Sequence, residues 1–432
     1  MTSRLNPSAR FARRIVAIFC TLMLAGALLA PTSAQAAGQT VDQFYDPTKI
    51  SDIYLTIPTA GVTALNDRNQ MTNYTAAMVI LKSPDGQQSP NINIGLKLKG
   101  STSLEKLSGR PSFKIKFNWS AYKGQRFLGL KHMVLNAMTQ DTSMLHETAA
   151  YRLYNQMGVP APKTGFARVY VNGVFKALYV NIEAYDDIML SKRFPDVTQH
   201  LYEGLAFKDF KVGNDDGAKD SGAFPTREGW SMVPNKADIT AAIKTATMKT
   251  GASWWNAMAK TFDCKKLIMQ FAVDNFTGNW DSYSGPIINN YFVRSNNQGQ
   301  FTMMPWGTDQ TFGENRATPA LGDDYFFAVD TPQAPFPWIS DPYFKGAKTL
   351  PRGVFFQKCL AYAPCKKEYL LNLKAVVAKV QSTKLTQFML NTAGLLVDYT
   401  NETQAKEQVR TIAWVDKQIV KVKAVLKKNG IK

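Results

Sequence analysis

The stretch Asn279-Trp280-Asp281-Ser-Tyr-Ser-Gly-Pro-Ile-Ile-Asn289-Asn290-Tyr291, followed by Phe301-Thr-Met-Met-Pro305-Trp306-Gly307-Thr308-Asp309-Gln-Thr-Phe-Gly313, reads as loop, strand, turn, strand and loop. It sets one carboxylate, a pair of carboxamides and a second carboxylate at the ends of two short strands. Sites that handle phosphate collect a base and oxygen ligands for a metal in this way, although the same residue types also cap turns. A helix is expected just before it, from about Lys265 to Phe276, and helices return from Pro364 to Lys428. In the last of these, Val409, Ile412, Val415, Ile419 and Val422 fall at helical spacing.

Upstream the pattern changes. Ile53-Tyr-Leu-Thr-Ile, Ala77-Met-Val-Ile-Leu, Ile92-Asn-Ile-Gly-Leu-Lys-Leu-Lys and Phe113-Lys-Ile-Lys-Phe alternate apolar with polar residues, which predicts an antiparallel sheet with one polar face. Between the last two lies Gly100-Ser-Thr-Ser-Leu-Glu-Lys-Leu-Ser-Gly109, a hairpin loop rich in small hydroxyl residues. Asp141-Thr-Ser then caps a helix through Leu145, Ala149, Leu153 and Met157, stopped by Gly158-Val-Pro160. Phe166 to Glu183 is a hairpin turning at Asn172-Gly173, a strong short-range hairpin signal. Residues 184–260 read as short helices with a polar insertion around Lys208 to Gly222. The expected fold class is therefore α+β, with a β-rich part over about 45–183 and a mainly helical part over about 184–432.

The chain opens with Arg4, Arg10, Arg13 and Arg14, the apolar run Ile15 to Leu29, and Ala34-Gln35-Ala36. These are the parts of a secretory signal over 1–36, cleaved after Ala36. No later run reaches the roughly 20 apolar residues that span a bilayer, so no transmembrane segment is expected after cleavage, and the protein is expected to be secreted, extracytoplasmic or on the cell surface. About 395 residues remain, with no repeat and no low-complexity linker, which suits one compact unit over 37–432. The loss of four arginines lowers the formal charge from +18 to about +14. That surface favours anionic partners, an anionic wall polymer among them. There is no zinc-finger spacing, aromatic RNA-binding motif or arginine-rich tract, so no specific nucleic-acid recognition is expected.

Cys20 falls in the signal. In an oxidising compartment Cys359 and Cys365 are expected to pair around a short loop, leaving Cys264 buried and free; pairing through Cys264, or three reduced thiols, are the alternatives. The three histidines, His132, His146 and His200, lie in neither a Ser-His-Asp neighbourhood nor a metal-binding His-x-x-x-His spacing. Ordinary serine-hydrolase and zinc chemistry are accordingly not expected.

Several segments together resemble the secreted CotH-type proteins, a family named for a spore coat protein and regarded as atypical kinases. They are Lys99-Gly-Ser-Thr-Ser, Ser112-Phe-Lys114-Ile-Lys116-Phe, Asp141-Thr-Ser-Met-Leu-His-Glu147, Gly158-Val-Pro-Ala-Pro162, Val171 to Glu183, and Asn279 to Gly313. The resemblance runs in order over roughly residues 90 to 320. It implies a two-lobed, kinase-like fold and an enzyme that uses ATP with Mg2+ or Mn2+ to phosphorylate a Ser/Thr hydroxyl of an extracytoplasmic or surface protein. General kinase signatures, such as Gly-x-Gly-x-x-Gly or Asp-Phe-Gly, are missing.

What the resemblance implies can be set beside what each residue could otherwise be. Gly100, Ser101 and Ser103 would close over phosphates with backbone amides and hydroxyls, or form an ordinary turn. Lys114 would reach the phosphates, with Lys116 on the same strand face beside it; alternating lysines are also what a solvated face looks like. Glu147 would pair with the lysine, or merely complement its helix dipole. Asp281 is the candidate base, Asp309 the main metal carboxylate, and Asn289 or Asn290 a further metal ligand. Glu183 closes the hairpin where a nucleotide hinge would lie, with Tyr179 and Ile182 as apolar walls or simply as core. One departure stands out: relatives resemble Trp-Asp-x-Asp where this chain has Trp306-Gly307-Thr308-Asp309, so one acidic position is missing. A catalytically inactive surface-binding or envelope protein is the alternative reading.

Overall fold

The structure is a computed structural model and describes residues 38–196, 199–220, 222–313, 326–328, 330–332 and 349–432. The signal at 1–36 lies outside them.

Seven strands build the first part: β1 (Ile50–Thr56), β2 (Thr75–Lys82), β3 (Ile92–Lys99), β4 (Ser112–Lys116), β5 (His132–Asn136), β6 (Thr164–Val171) and β7 (Val174–Ile182). They form a closed barrel in the order β1-β2-β3-β4-β5-β7-β6, where the alternation predicted an antiparallel sheet with one polar face. Closure comes from a parallel pairing of β1 with β6, Ile50 opposite Phe166 through Leu55 opposite Val171, which local alternation cannot announce. The apolar residues of each strand fill the barrel, with Ile53, Val79, Leu96, Phe113, Leu135 and Val169 fully buried. Their polar neighbours, the lysines of β3 and β4 included, point outward.

Helices α1 (Val41–Phe44) and α2 (Thr59–Asn66) pack on the barrel, and α3 (His146–Gln156) lies between β5 and β6. The chain leaves the barrel after Ile182 and enters α4 (Asp187–Ser191), capped by the Asp186 carboxylate. A second, four-stranded sheet follows, in the order β11-β10-β8-β9, from β8 (His200–Gly204), β9 (Thr226–Glu228), β10 (Tyr291–Ser295) and β11 (Phe301–Pro305). Strands β8 and β9 lie within the region read as short helices. Three helices are interposed, α5 (Ala237–Thr247), α6 (Ala252–Thr261) and α7 (Cys264–Thr277). After a two-stranded pairing of β12 (Asp330–Pro332) with β13 (Thr349–Pro351) come α8 (Val354–Ala361), α9 (Ala363–Ser382), α10 (Leu385–Leu395) and α11 (Glu402–Lys428).

A second large core, which includes Tyr151, Tyr154, Trp254, Phe271, Tyr283 and Tyr369, joins α3 to these helices and to β10 and β11. Cys359 and Cys365 form a disulfide between α8 and α9, and Cys264 is free and half-buried. Among the described residues no helix is long and apolar enough to cross a membrane.

Candidate functional site

The functional side chains gather where the outer face of β3 and β4, the start of α3 and the ends of β10 and β11 meet. Asp281 follows α7 and is half-buried. Asn289 Nδ2 donates to one of its carboxylate oxygens at 3.0 Å and Asn290 Nδ2 to the other at 2.7 Å. Burial raises the Asp281 carboxyl to about 7, opposed by the Asn289 hydrogen bond and reinforced by the negative charge of Asp309. Asp281, Asn289, Asn290 and Asp309 are thus together, as the opening stretch suggested. The carboxamides present their N–H groups to Asp281, which leaves their oxygens as free ends.

Asp309 lies on the loop after β11. Burial raises its carboxyl, Asp141 adds to the effect and Lys99 opposes it. Glu147, the second residue of α3 and buried, accepts from Asn136 Nδ2 at 2.7 Å. Its carboxyl is pushed well up by burial and by Asp309, again against the pull of Lys99. Lys99 is therefore the cation whose field acts on both acids, and its ammonium also sits 5.8 Å from the centre of the Trp306 ring. Asp141 anchors α3 as expected, accepting from the His146 amide at 2.8 Å, although the helix itself begins at His146.

Lys114 is not beside Glu147. On β4 it is the register partner of Lys97, and its charged surroundings are Lys97, Asp186, Glu203 and Arg227. The lysine whose charge acts on Glu147 is Lys99 on β3 and not, as expected, one on β4. The reason is register: Lys99 pairs with Ser112, whose hydroxyl meets Asn136, and Asn136 in turn holds Glu147. Lys114 is two residues further along the strand. Lys116 lies further still, over the Tyr74 ring at 5.5 Å.

Gly100, Ser101 and Ser103 form the loop that follows Lys99. Gly100 and Ser101 are exposed, and the loop touches the site through Gln140, which donates to Thr102 Oγ1 at 3.4 Å and accepts from Gln310 at 3.1 Å. Glu183 is buried and committed elsewhere. It ion-pairs with Arg193 and accepts from the Lys163 amide at 3.1 Å, so its carboxylate ties down the exit from the barrel instead of facing a ligand. Tyr179 and Ile182 are core residues, the Tyr179 hydroxyl bonding Pro111 O at 2.9 Å.

Several parts of the site carry no signal in the sequence. The His146 ring bridges the Asp309 carbonyl at 2.8 Å and the Thr411 hydroxyl at 3.2 Å. A carbonyl only accepts, so Nδ1 donates to Asp309. Arg410 donates to Gly313 O at 2.8 Å, and Trp414 lies edge-on to Phe312. Helix α11 thereby clamps the Asp309 loop. Gly313, at φ +79°, is required there, because a Cβ would lie 2.4 Å from the Trp414 ring. Gly307 has φ +51°, and a Cβ would come within 2.9 Å of the Asn290 carboxamide. The Asn290 side chain occupies the space next to the missing acidic position.

The donors that converge are oxygens, with no thiol or imidazole among them. Among the described residues no three of His, Cys, Asp and Glu come together as a ready-made metal cage. Flanking Asp309, Thr308 Oγ1 and Gln310 Oε1 are buried without a hydrogen-bond partner.

Comparison with known proteins bears on this arrangement. The inner spore coat protein H of Bacillus subtilis (strain 168) is 24% identical over 238 residues, covering 49% of this chain and 58% of that one. The inner spore coat protein H-like protein of the same organism is 36% identical over 56 residues, 13% of this chain and 18% of that one. The chain thus spans less than two thirds of the length of either relative. A crystal structure of the Helicobacter pylori proinflammatory kinase CtkA is similar at a TM-score of 0.37 and 10% identity, over 74% of this chain and 95% of that one. The family model described as CotH kinase protein matches residues 96–428, a span that begins three residues before Lys99 and takes in Glu147, Asp281, Asp309 and the clamping helix α11. The chain belongs to the CotH kinase protein family.

Proposed function

We propose that the protein is a secreted kinase that transfers a phosphoryl group from ATP to a Ser/Thr hydroxyl of an extracytoplasmic or surface protein. The observation that carries this reading is the convergence of Lys99, Glu147, Asp281 and Asp309 at the junction of the barrel with the second sheet. The barrel would be the upper lobe of a kinase-like pair and the helical part the lower one.

ATP would supply the phosphoryl group and a divalent metal would neutralise its developing charge. Asp309 and the Asn289 and Asn290 oxygens would hold the metal, with Asp281 beside them. Two carboxylates and amide oxygens suit Mg2+ or Mn2+, which are held by few protein groups together with substrate phosphates. The unpartnered Thr308 and Gln310 oxygens leave acceptors free in the same place. Lys99, kept in position by the field of Glu147, would bind phosphate oxygens. Asp281, raised to about 7, can hold the acceptor hydroxyl's proton near neutral pH. The name of the relative, an inner spore coat protein, and the expected signal over 1–36 support an extracytoplasmic setting.

A second reading, an inactive binding protein on the same fold, draws on the same geometry. Both Asp281 oxygens already accept from a carboxamide, and glycine stands at 307. Isothermal titration of the mature protein separates the two. The kinase reading expects ATP to bind only weakly until Mg2+ or Mn2+ is added, and Asp309→Ala to remove that metal dependence. Metal-independent binding, or none, refutes it.

A further inference from the structure

Residues 279–290, between α7 and β10, belong to no helix or strand, so no backbone ladder holds Asp281 in place. The tie on their α7 side is Asp274, in the last turn of that helix and fully buried. One of its carboxylate oxygens accepts from Ser284 Oγ at 2.8 Å, just past Asp281 in the loop. The other accepts from Tyr154 Oη, which belongs to α3 and itself accepts from Asn279 Nδ2 at 3.5 Å. Tyr154 follows Glu147 by about two helical turns, on the same face of α3. A single carboxylate thus joins the helix that carries Glu147 to the loop that carries Asp281.

A carboxylate in this place is costly. Burial raises Asp274 to about 6, against the hydrogen bonds of Tyr154, Ser284 and Ser282 and the charge of Arg352. Burial and the Asp274 charge push the Tyr154 hydroxyl well up, so it stays a neutral donor. Arg352 reaches the same loop from beyond β13, donating through Nε to Ser284 O and through Nη2 to Asn275 Oδ1 at 2.6 Å. Packing alone would be served as well by an apolar side chain of similar volume. What such a side chain lacks is direction: the two oxygens of one planar carboxylate fix the loop and α3 relative to each other. Fully buried, Asp274 cannot meet substrate itself, so any part it has in the reaction is played through the loop.

We infer that Asp274 is a positioning residue for phosphoryl transfer, setting the Asp281 loop against α3 and so Asp281 against Glu147. The inference rests on the kinase reading for its effect on rate, and not for the tie itself. The test compares Asp274→Asn, Tyr154→Phe, Ser284→Ala and the double variant Tyr154→Phe, Ser284→Ala with the unaltered mature protein. Each is measured for kcat, for KM of ATP with Mg2+, and for hydrogen exchange at the Gly285 and Ile287 amides, both bonded within the loop. Ser284→Ala leaves Asp274 its Tyr154 partner, so it remains measurable if Asp274→Asn fails to fold. Each variant should lose on the order of ten-fold or more in kcat with KM unchanged, since a misplaced Asp281 slows the step without loosening the nucleotide. Exchange at the two amides should quicken on the order of ten-fold in Tyr154→Phe, although that change is on α3. The double variant should be no worse than the worse single one, because both donors act through the same carboxylate. Undiminished kcat in the single variants overturns the inference, as do a loss confined to KM, loop exchange unmoved by Tyr154→Phe, or losses that add in the double variant. Phosphoryl transfer by the unaltered protein alongside any of those results spares the kinase reading. Quickened exchange without phosphoryl transfer by any form upholds the tie and counts only against the kinase reading.

Discussion

Lys99 stands directly before Gly100, at the end of a strand whose apolar residues fill the barrel, so its side chain emerges where the sheet meets the start of α3. That position makes it the test of the residue-level chemistry. Lys99→Ala should cost on the order of a hundred-fold or more in phosphoryl transfer, the usual scale for losing one charge-stabilising donor, while Lys114→Ala should cost far less. Equal losses in kinetic assays of the two variants would restore Lys114 to the catalytic role. Gly307 yields a stability prediction. Its φ of +51° and the 2.9 Å approach of Asn290 mean that Gly307→Ala should cost about 1–2 kcal/mol in denaturant unfolding; an unchanged midpoint would show that the loop relaxes freely. The sequence made Asp281, Asn289, Asn290 and Asp309 legible, because all four lie within one stretch joined by a hairpin. The choice among lysines was not legible. Alternation puts Lys97, Lys99, Lys114 and Lys116 on one face, and only the cross-strand register says which of them lies next to Glu147.

Helix α11 illustrates the same limit at the level of elements. Its apolar spacing announces a buried stripe, of which Val415 and Val422 are buried and Ile412 and Ile419 half-buried, whereas Val409 is exposed. Nothing local says that Thr411 and Trp414 reach the Asp309 loop. Trp414→Ala should remove the brace on Phe312 and Gly313, costing about 2 kcal/mol for a partly buried indole and lowering transfer activity with it. Full activity in that variant would show that α11 does not position Asp309. A second contact between elements is sensitive to pH. His200 Nδ1 lies 2.8 Å from Asp238, joining β8 to α5. The hydrogen bond and charge of Asp238 raise the pKa of His200 despite the opposing cost of burial, and Asp238 is lowered by its hydrogen bond to His200 against the same opposition. A raised imidazole stabilises the fold fully below its unfolded value near 6.5 and ceases to as pH rises through its folded value. A lowered carboxylate stabilises it above its unfolded value near 3.9 and ceases to as pH falls. The stability difference between the protein and its His200→Gln variant should therefore be greatest between about pH 4 and pH 6.5 and shrink towards pH 8. A difference independent of pH would show that the pair is not ionic.

At the scale of the whole molecule, composition and periodicity identify an α+β chain, and the described residues hold both sheets and helices, with strands in the second part as well as the first. Barrel closure and the second sheet escaped that reading because both depend on pairings between distant segments, β1 with β6 and β8 with β10. The Cys359–Cys365 disulfide, by contrast, closes a short loop and was legible from spacing and compartment. Its reduction should lower stability by about 2 kcal/mol, the modest chain-entropy contribution of a small loop, and an unchanged unfolding midpoint in reductant would contradict this. The central claim is that the two sheets and α3 bring Lys99, Glu147, Asp281 and Asp309 together for phosphoryl transfer. Its most direct measurement is the incorporation of labelled phosphate from ATP into protein hydroxyls by the purified mature chain, with and without Mg2+ or Mn2+, beside an Asp309→Ala variant of unchanged unfolding midpoint. Metal-dependent incorporation by the protein and its absence from the variant is the result expected; incorporation that survives in Asp309→Ala, or none by the protein itself, would contradict it.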